Sequence, residues 1–63
     1  MKNNELMRLV VSKFNYDFYI GINKKGEPFY NIVPTGSHKP NGGYGSSEYI
    51  AKIKGVPNLF KTY

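Results

Sequence analysis

The side chains that could perform acid–base or nucleophilic chemistry are few and lie far apart in the sequence. There is one histidine, His38, within a segment rich in glycine and proline, and there is no cysteine. A lone histidine in such a loop is more often solvated than a base or a metal ligand. The four carboxylates fall in separate segments, and none is paired at a spacing typical of acid–base catalysis or metal ligation. They are Glu5, Asp17, Glu27 and Glu48. This set predicts a protein that is not an enzyme and has no metal site or cofactor.

A glycine-rich stretch that leads into a predicted helix is a candidate anion-binding site. It reads Asn41-Gly42-Gly43-Tyr44-Gly45-Ser46-Ser47, with Lys39 close before it. Glycines let backbone N–H groups approach an anion, and a helix N-terminus adds partial positive charge. A phosphate, an anionic nucleotide or a nucleic-acid backbone would fit. The alternative is a structural lead-in to the helix, in which Ser46 or Ser47 caps the first turn.

Tyrosines and lysines in the first half of the chain form a second candidate binding surface. Alternation predicts Phe18, Ile20 and Ile22 on one face of a sheet, with Tyr19 and Tyr30 on the opposite face. Exposed tyrosines could stack on bases while lysines contact phosphates. Alternatively, the two tyrosines form a cross-strand pair or a homodimer interface. Three lysines lie near the ends of these strands: Lys13, Lys24 and Lys25.

The hydrophobic pattern predicts the strands that would position these residues. Residues 6–14 are rich in β formers and predict a first strand, with a turn at 15–17. Residues 18–23 alternate and predict a second strand, which a glycine-containing connection at 24–27 joins to a third strand at 29–33. We expect these strands to form an antiparallel sheet.

The rest of the chain predicts a loop and one helix. Residues 34–45 hold four glycines and two prolines, so we expect a loop, with a short strand near Tyr44 as an option. The helix should begin at Ser46 or Ser47 and end at Gly55. Several apolar residues after its start are predicted to join the core: Tyr49, Ile50 and Ile53 on one helix face, then Val56, Leu59 and Phe60. The predicted class is α+β, a small sheet of about three strands with one short C-terminal helix packed on one face.

Composition indicates one small binding domain, spanning residues 1–63, with a polyanionic or acidic partner. The formal net charge is +5 and the isoelectric point is near 9.6, which favours such partners, although lysine also serves solubility. The apolar run from Leu6 to Val11 is broken by Arg8 and is too short for a signal-peptide core or a membrane span. We therefore expect a cytoplasmic protein. A thin core also favours a homodimer.

The C-terminal part of the chain contains a Gly-x-Tyr-x-Ser turn, a predicted short helix, then Lys-Gly-x-Pro and Phe-Lys-x-Tyr. The residues that carry this pattern are Tyr44, Ser46, Lys54, Gly55, Pro57, Phe60, Lys61 and Tyr63. The pattern resembles the hybrid-binding domain at the N-terminus of eukaryotic ribonucleases H, which has a Gly-x-Tyr-x-Ser-Trp turn, a short helix, then Lys-Gly-x-Pro and Phe-Lys-x-Phe. Ser47 stands where the family has its nucleic-acid-contacting tryptophan, and the spacing to Lys-Gly is one residue short. The resemblance implies binding to RNA-containing duplexes through Tyr44, Lys54 and Lys61.

A second pattern combines the predicted hairpin with a Gly-Tyr-x-Ser turn that leads into the helix. Its residues are Phe18, Gly26, Ile32, Gly36, Gly43, Tyr44 and Ser46. In this the chain resembles a small bacterial family of unknown function, and the resemblance implies a fold and dimerisation, but no activity.

Three functions are compatible with a short, basic chain without catalytic motifs. The first is a stoichiometric binding protein of the kind that phages and mobile elements encode to occupy or inhibit a host protein. The second is direct binding of a nucleic acid, either an RNA-containing duplex or a single strand, in which Tyr44 would be an aromatic anchor and Lys52, Lys54 and Lys61 would add phosphate contacts. The third is a sponge for an anionic nucleotide.

Overall fold

A computed structural model describes residues 7–62, which contain a three-stranded antiparallel sheet. The strands are β1 (Arg8–Lys13), β2 (Tyr16–Ile22) and β3 (Pro28–Pro34), in the order β1-β2-β3. Predictions that fall on Glu5, Leu6 and Tyr63 lie outside the described residues.

One helix and a short 3-10 turn follow the sheet. Helix α1 spans Ser47–Lys54, and the 3-10 turn η1 spans Leu59–Thr62. The predicted α+β class, with about three strands and one short helix, is confirmed. Within residues 7–62, no helix has the length and apolar character needed to cross a membrane.

The hairpin between β1 and β2 turns at Phe14 and Asn15. Both residues have positive φ, 57° and 65°, and Lys13 pairs with Tyr16 to close the turn. Two-residue hairpins favour this left-handed geometry because it matches the twist of the strands. The predicted turn at 15–17 is therefore wrong by about one residue, since Tyr16 already belongs to β2.

The hairpin between β2 and β3 is organised by the side chain of Asn23. Its Oδ1 accepts hydrogen bonds from the backbone N–H groups of Lys25 and Glu27, each at 2.9 Å. Gly26 has a φ of 81°, a left-handed conformation that glycine adopts without strain. Asn23 therefore belongs to the turn, and the connection is one residue longer than the predicted 24–27.

This extra turn residue sets the register between β2 and β3. Phe18 lies opposite Ile32, and Ile20 lies opposite Tyr30. Residues directly opposite each other share a sheet face, and a shift of one residue exchanges the faces. The prediction that Tyr30 lies opposite the Phe18 face is therefore wrong, because Tyr30 faces the helix.

The core lies between this sheet face and α1. Phe18, Ile32 and Ile50 are fully buried, and Ala51 is almost so. The predicted return of the C-terminal segment to the core is confirmed. The partly buried side chains packed against the core are Val11, Tyr16, Tyr30, Val56, Leu59 and Phe60.

The caps of α1 follow the predicted chemistry. The Oγ of Ser46 accepts a hydrogen bond from the backbone N–H of Tyr49 at 3.2 Å. At the other end, Gly55 adopts a φ of 72°, and its N–H donates to the carbonyls of Ala51 and Lys52. The predicted bounds of the helix are confirmed.

The predicted apolar face of the helix is only partly correct. Ile50 is buried, whereas Tyr49 and Ile53 are exposed. The C-terminal segment supplies Val56, Leu59 and Phe60 to the core, so the sheet is covered without Ile53. Ile22 shares the predicted face with Phe18 but is exposed, because it lies at the end of β2.

Candidate functional site

The glycine-rich stretch pairs with the outer edge of β3. The N–H of Tyr30 donates to the carbonyl of Tyr44 at 2.6 Å, and the N–H of Tyr44 donates back to Tyr30 at 2.7 Å. The Asn31 side chain donates to the carbonyl of Gly42 at 2.7 Å. The predicted option of a short strand near Tyr44 is thus confirmed as a single bridge, which covers part of this sheet edge.

Gly43 allows this close approach. A Cβ at this position would lie 2.8 Å from the carbonyl carbon of Tyr30 and 3.2 Å from Cδ2 of Phe29. No side chain fits there without moving the loop away from β3. This glycine therefore has a packing role, and Gly43→Val should disturb the contact between the loop and β3.

The side chains at the start of α1 hold the C-terminal segment. Ser47 Oγ accepts a hydrogen bond from the Asn58 side chain at 3.1 Å. Glu48 forms an ion pair with Lys61 at 3.1 Å, with both side chains exposed. With Ser46 as the cap, both predicted serines have structural partners, and an anion site at this helix start stays a prediction.

A shallow cleft of about 520 Å³ lies between the β2–β3 turn and the glycine-rich stretch. Its charged side chain is Glu27, whose Oε1 accepts a hydrogen bond from the Asn23 side chain at 3.2 Å. A carboxylate repels phosphate, so this lining does not favour an anionic nucleotide in the cleft. The cleft is lined by Asn23, Glu27, Pro28, Phe29, Gly43 and Gly45.

Three large side chains are exposed on the glycine-rich stretch and on α1, which follows it. The rings of Tyr44 and Tyr49 lie 5.6 Å apart at an interplanar angle of 59°, and they are 42% and 54% exposed. Ile53, 49% exposed, follows Tyr49 by one helical turn and therefore lies beside it. We call these three residues the aromatic patch. Tyr44 was predicted as a site residue, whereas the other two were assigned to the core.

The other two candidate tyrosines do not form one surface. Tyr30 is partly buried, and its ring lies 4.7 Å from that of Phe60. Tyr19 is on the opposite sheet face, where it pairs with Leu9 and Asn31. A cross-strand pair between Tyr19 and Tyr30 is therefore excluded by the register, and so is a joint stacking surface.

The predicted lysines are exposed but do not form one stripe. Lys13 stands beside the β1–β2 turn, where its Nζ lies 5.9 Å from the centroid of the Phe14 ring. Lys24 and Lys25 are at the opposite end of β2, in the second turn. Lys54 is exposed at the end of α1. The sheet thus carries basic groups at both ends.

The loop before the glycine-rich stretch presents polar groups to solvent. His38, Lys39 and Asn41 are exposed there. Across residues 7–62, no group of three or more histidine or acidic side chains could hold a metal ion. The contacts implied by the ribonuclease H resemblance are dispersed: Tyr44 and Lys54 are exposed, while Lys61 pairs with Glu48.

Comparisons with protein-family models, curated proteins and solved structures found no match to this chain.

Proposed function

We propose that the chain is a non-enzymatic binding protein that occupies a surface of another protein in the cytoplasm, as a phage or mobile-element inhibitor of a host protein would. The aromatic patch is the proposed contact. Tyrosine is enriched in protein interfaces because its ring supplies a large apolar area with little conformational freedom to lose.

One observation carries this proposal: Tyr44 and Tyr49 expose their rings side by side, at a centroid distance of 5.6 Å. The same helix buries Ile50 and Ala51 completely or nearly so. Exposed apolar side chains that cluster, rather than scatter, mark interaction sites. Two tyrosines and an isoleucine on two adjoining segments provide the central anchors of an interface.

Site-specific photo-crosslinking tests this proposal. A benzophenone amino acid in place of Tyr49 should capture a protein when the chain is mixed with candidate host nucleases and polymerases. The control replaces Leu9, which is similarly exposed but lies on the β1 edge. Capture from both positions with equal yield, or from neither, would contradict a patch-directed complex. Size exclusion should give the same contrast: Tyr49→Ser should lose the complex with the partner protein, whereas Leu9→Ser should keep it.

Nucleic-acid binding is a second candidate, and the exposed positive charge favours it. Seven basic side chains of the described residues have no acidic partner. Fluorescence anisotropy with a labelled single strand and an RNA–DNA duplex would detect binding at low salt, with a steep loss of affinity as salt rises. Absence of binding at low salt would eliminate this candidate. The seven are Arg8, Lys13, Lys24, Lys25, Lys39, Lys52 and Lys54.

A further inference from the structure

The acidic groups of the described chain are already engaged within the molecule. Asp17 is buried, and its Oδ1 accepts hydrogen bonds from the hydroxyls of Ser12 and Thr35. Glu27 accepts one from the Asn23 side chain, and Glu48 pairs with Lys61. The basic groups without an acidic partner therefore make the surface of the described chain predominantly positive.

Two of those basic groups border the aromatic patch. Lys52 follows Tyr49 by three positions and lies beside it on the helix surface. Lys54 directly follows Ile53 in the last turn. Glu48, four positions before Lys52, is held by Lys61 at 3.1 Å. The patch is thus an apolar centre with two lysines at its border, Lys52 and Lys54, where the neighbouring carboxylate of Glu48 already pairs with Lys61.

We infer that the aromatic patch docks onto an acidic protein surface, in which aspartates and glutamates surround an apolar pocket. This inference rests on the proposed function and names the chemistry of the partner. Apolar anchors at the centre supply binding energy, while complementary charges at the rim select the partner and accelerate encounter. Lys52 and Lys54 would take the rim positions opposite the carboxylates.

A second copy of the chain fits this surface less well. In a two-fold symmetric dimer the same patch faces itself, so Lys52 and Lys54 of both copies would lie around one interface. Each copy also carries a net charge of +5. Like charges opposed across an interface cost binding energy, whereas an acidic partner gains it.

A nucleic-acid strand also fits less well than a protein pocket. Successive bases stack on aromatic rings that lie along one strand. The rings of Tyr44 and Tyr49 are inclined to each other by 59°, so they cannot both lie parallel to bases of one regular stack. A pocket with walls at different angles accommodates both rings.

Charge reversal with a matched control tests the inference. Lys52→Glu with Lys54→Glu reverses two charges beside the patch, while Arg8→Glu with Lys13→Glu reverses two charges on β1, the sheet's other edge strand. Both variants lower the net charge equally. Because glutamate in the last helical turn is unfavourable, Lys52→Gln with Lys54→Gln accompanies them, and circular dichroism checks folding.

The binding probe is the protein captured through position 49, purified and titrated by calorimetry at low and high NaCl. We expect the patch reversal to weaken its binding at least about tenfold, the β1 reversal less than about threefold, and the glutamine variant an intermediate amount. Salt should weaken the native complex, have little effect on the complex of the glutamine variant, and strengthen that of the patch reversal, because it screens the repulsion between glutamates and an acidic partner. A complex that both reversals weaken equally, or that neither weakens, would overturn the inference while leaving the proposed function intact.

Three further probes test whether the aromatic patch binds something other than an acidic protein. These are a single-stranded oligonucleotide, vesicles that contain phosphatidylserine, and the chain alone by analytical ultracentrifugation. One outcome would overturn both the proposed function and the acidic-protein inference. In it, the chain forms no protein complex, but it binds the oligonucleotide or the vesicles, or self-associates, and the patch reversal weakens that binding. A protein complex with no patch-dependent binding in these three arms supports both.

Discussion

Among residues 7–62, Phe14 and Asn15 are the two non-glycine residues with a positive φ, and Phe14 is the bulkier of them. It is a bulky L-residue at a φ of 57°, a conformation that costs about 1–2 kcal/mol, and its ring is half exposed. The turn is held by its surroundings: the N–H of Thr35 donates to the carbonyl of Asn15 at 3.0 Å. The fold therefore tolerates Phe14 at this position rather than benefiting from it.

Phe14→Asn should stabilise the protein. Asparagine adopts left-handed backbone more readily than phenylalanine, and the loss is the contact with the Lys13 ammonium, worth about 0.5–1 kcal/mol. We expect the free energy of unfolding to rise by about 0.5–1 kcal/mol, measured by urea denaturation. Asn15→Ala, at a φ of 65°, should lower it. A fall in the free energy of unfolding of the Phe14 variant would show that the ring contributes more than its strain costs.

Two glycines of the same stretch should respond differently to alanine. Gly43→Ala places a Cβ against the Tyr30 carbonyl, whereas a Cβ at Gly45 meets no atom within 4 Å. We expect Gly43→Ala to cost about 1–3 kcal/mol and to speed hydrogen exchange at the Tyr30 and Tyr44 amides, which pair with each other.

Gly45→Ala is the matched control, and it should leave both the stability and the amide protection nearly unchanged. Equal effects of the two substitutions would show that loop flexibility, rather than the close approach to β3, is what glycine supplies here.

Helix α1 offers a comparison between two isoleucines three positions apart. Ile50 is fully buried against the sheet, while Ile53 is 49% exposed. Ile50→Ala should cost about 2–5 kcal/mol, which rivals the total stability of a chain of this size. Ile53→Ala should cost less than about 1 kcal/mol. Thermal melting of both variants measures the difference. A larger loss for Ile53 would contradict the packing described for this helix.

The bounds of α1 could be predicted from sequence because capping is local chemistry. Ser46, Glu48, Gly55 and Pro57 stand at positions where helix ends require them. The buried face could not be predicted, because an eight-residue helix has too few turns to define one apolar stripe. The deciding factor is tertiary: the C-terminal segment packs against the core and leaves Tyr49 and Ile53 outside.

The strands of the central hairpin were predictable, but the register was not. Alternation marks β2, yet the face of Tyr30 depends on whether Asn23 belongs to the strand or to the turn. One residue of turn length exchanges the faces. The candidate surface depended on the length of this turn, so the prediction that Tyr19 and Tyr30 share a sheet face was wrong. The pair Tyr44–Tyr49 was missed because it joins a loop to a helix, where no periodic pattern exists.

At the scale of the whole molecule, the charge is unbalanced. The net charge is +5, and the part of the chain that the structure describes contains one ion pair, Lys61–Glu48, on the surface. An exposed pair contributes about 0–1 kcal/mol and weakens in salt. Repulsion among the unpaired basic groups also weakens in salt, because at 0.1 M the interactions between exposed charges more than about 10 Å apart are largely screened.

Salt should therefore stabilise the folded chain. The compact state brings like charges together and is destabilised by their repulsion, and this repulsion involves more groups than the one attractive pair. We expect the free energy of unfolding in urea to rise, by up to about 1 kcal/mol, between 10 and 200 mM NaCl. Lys24→Gln with Lys25→Gln, which removes two adjacent charges in the β2–β3 turn, should raise stability at low salt and reduce the salt dependence. A native chain that loses stability as NaCl rises would show that attractive charge contacts dominate. The basic side chains would then contribute to the stability of the fold, and they would be less available to an acidic partner.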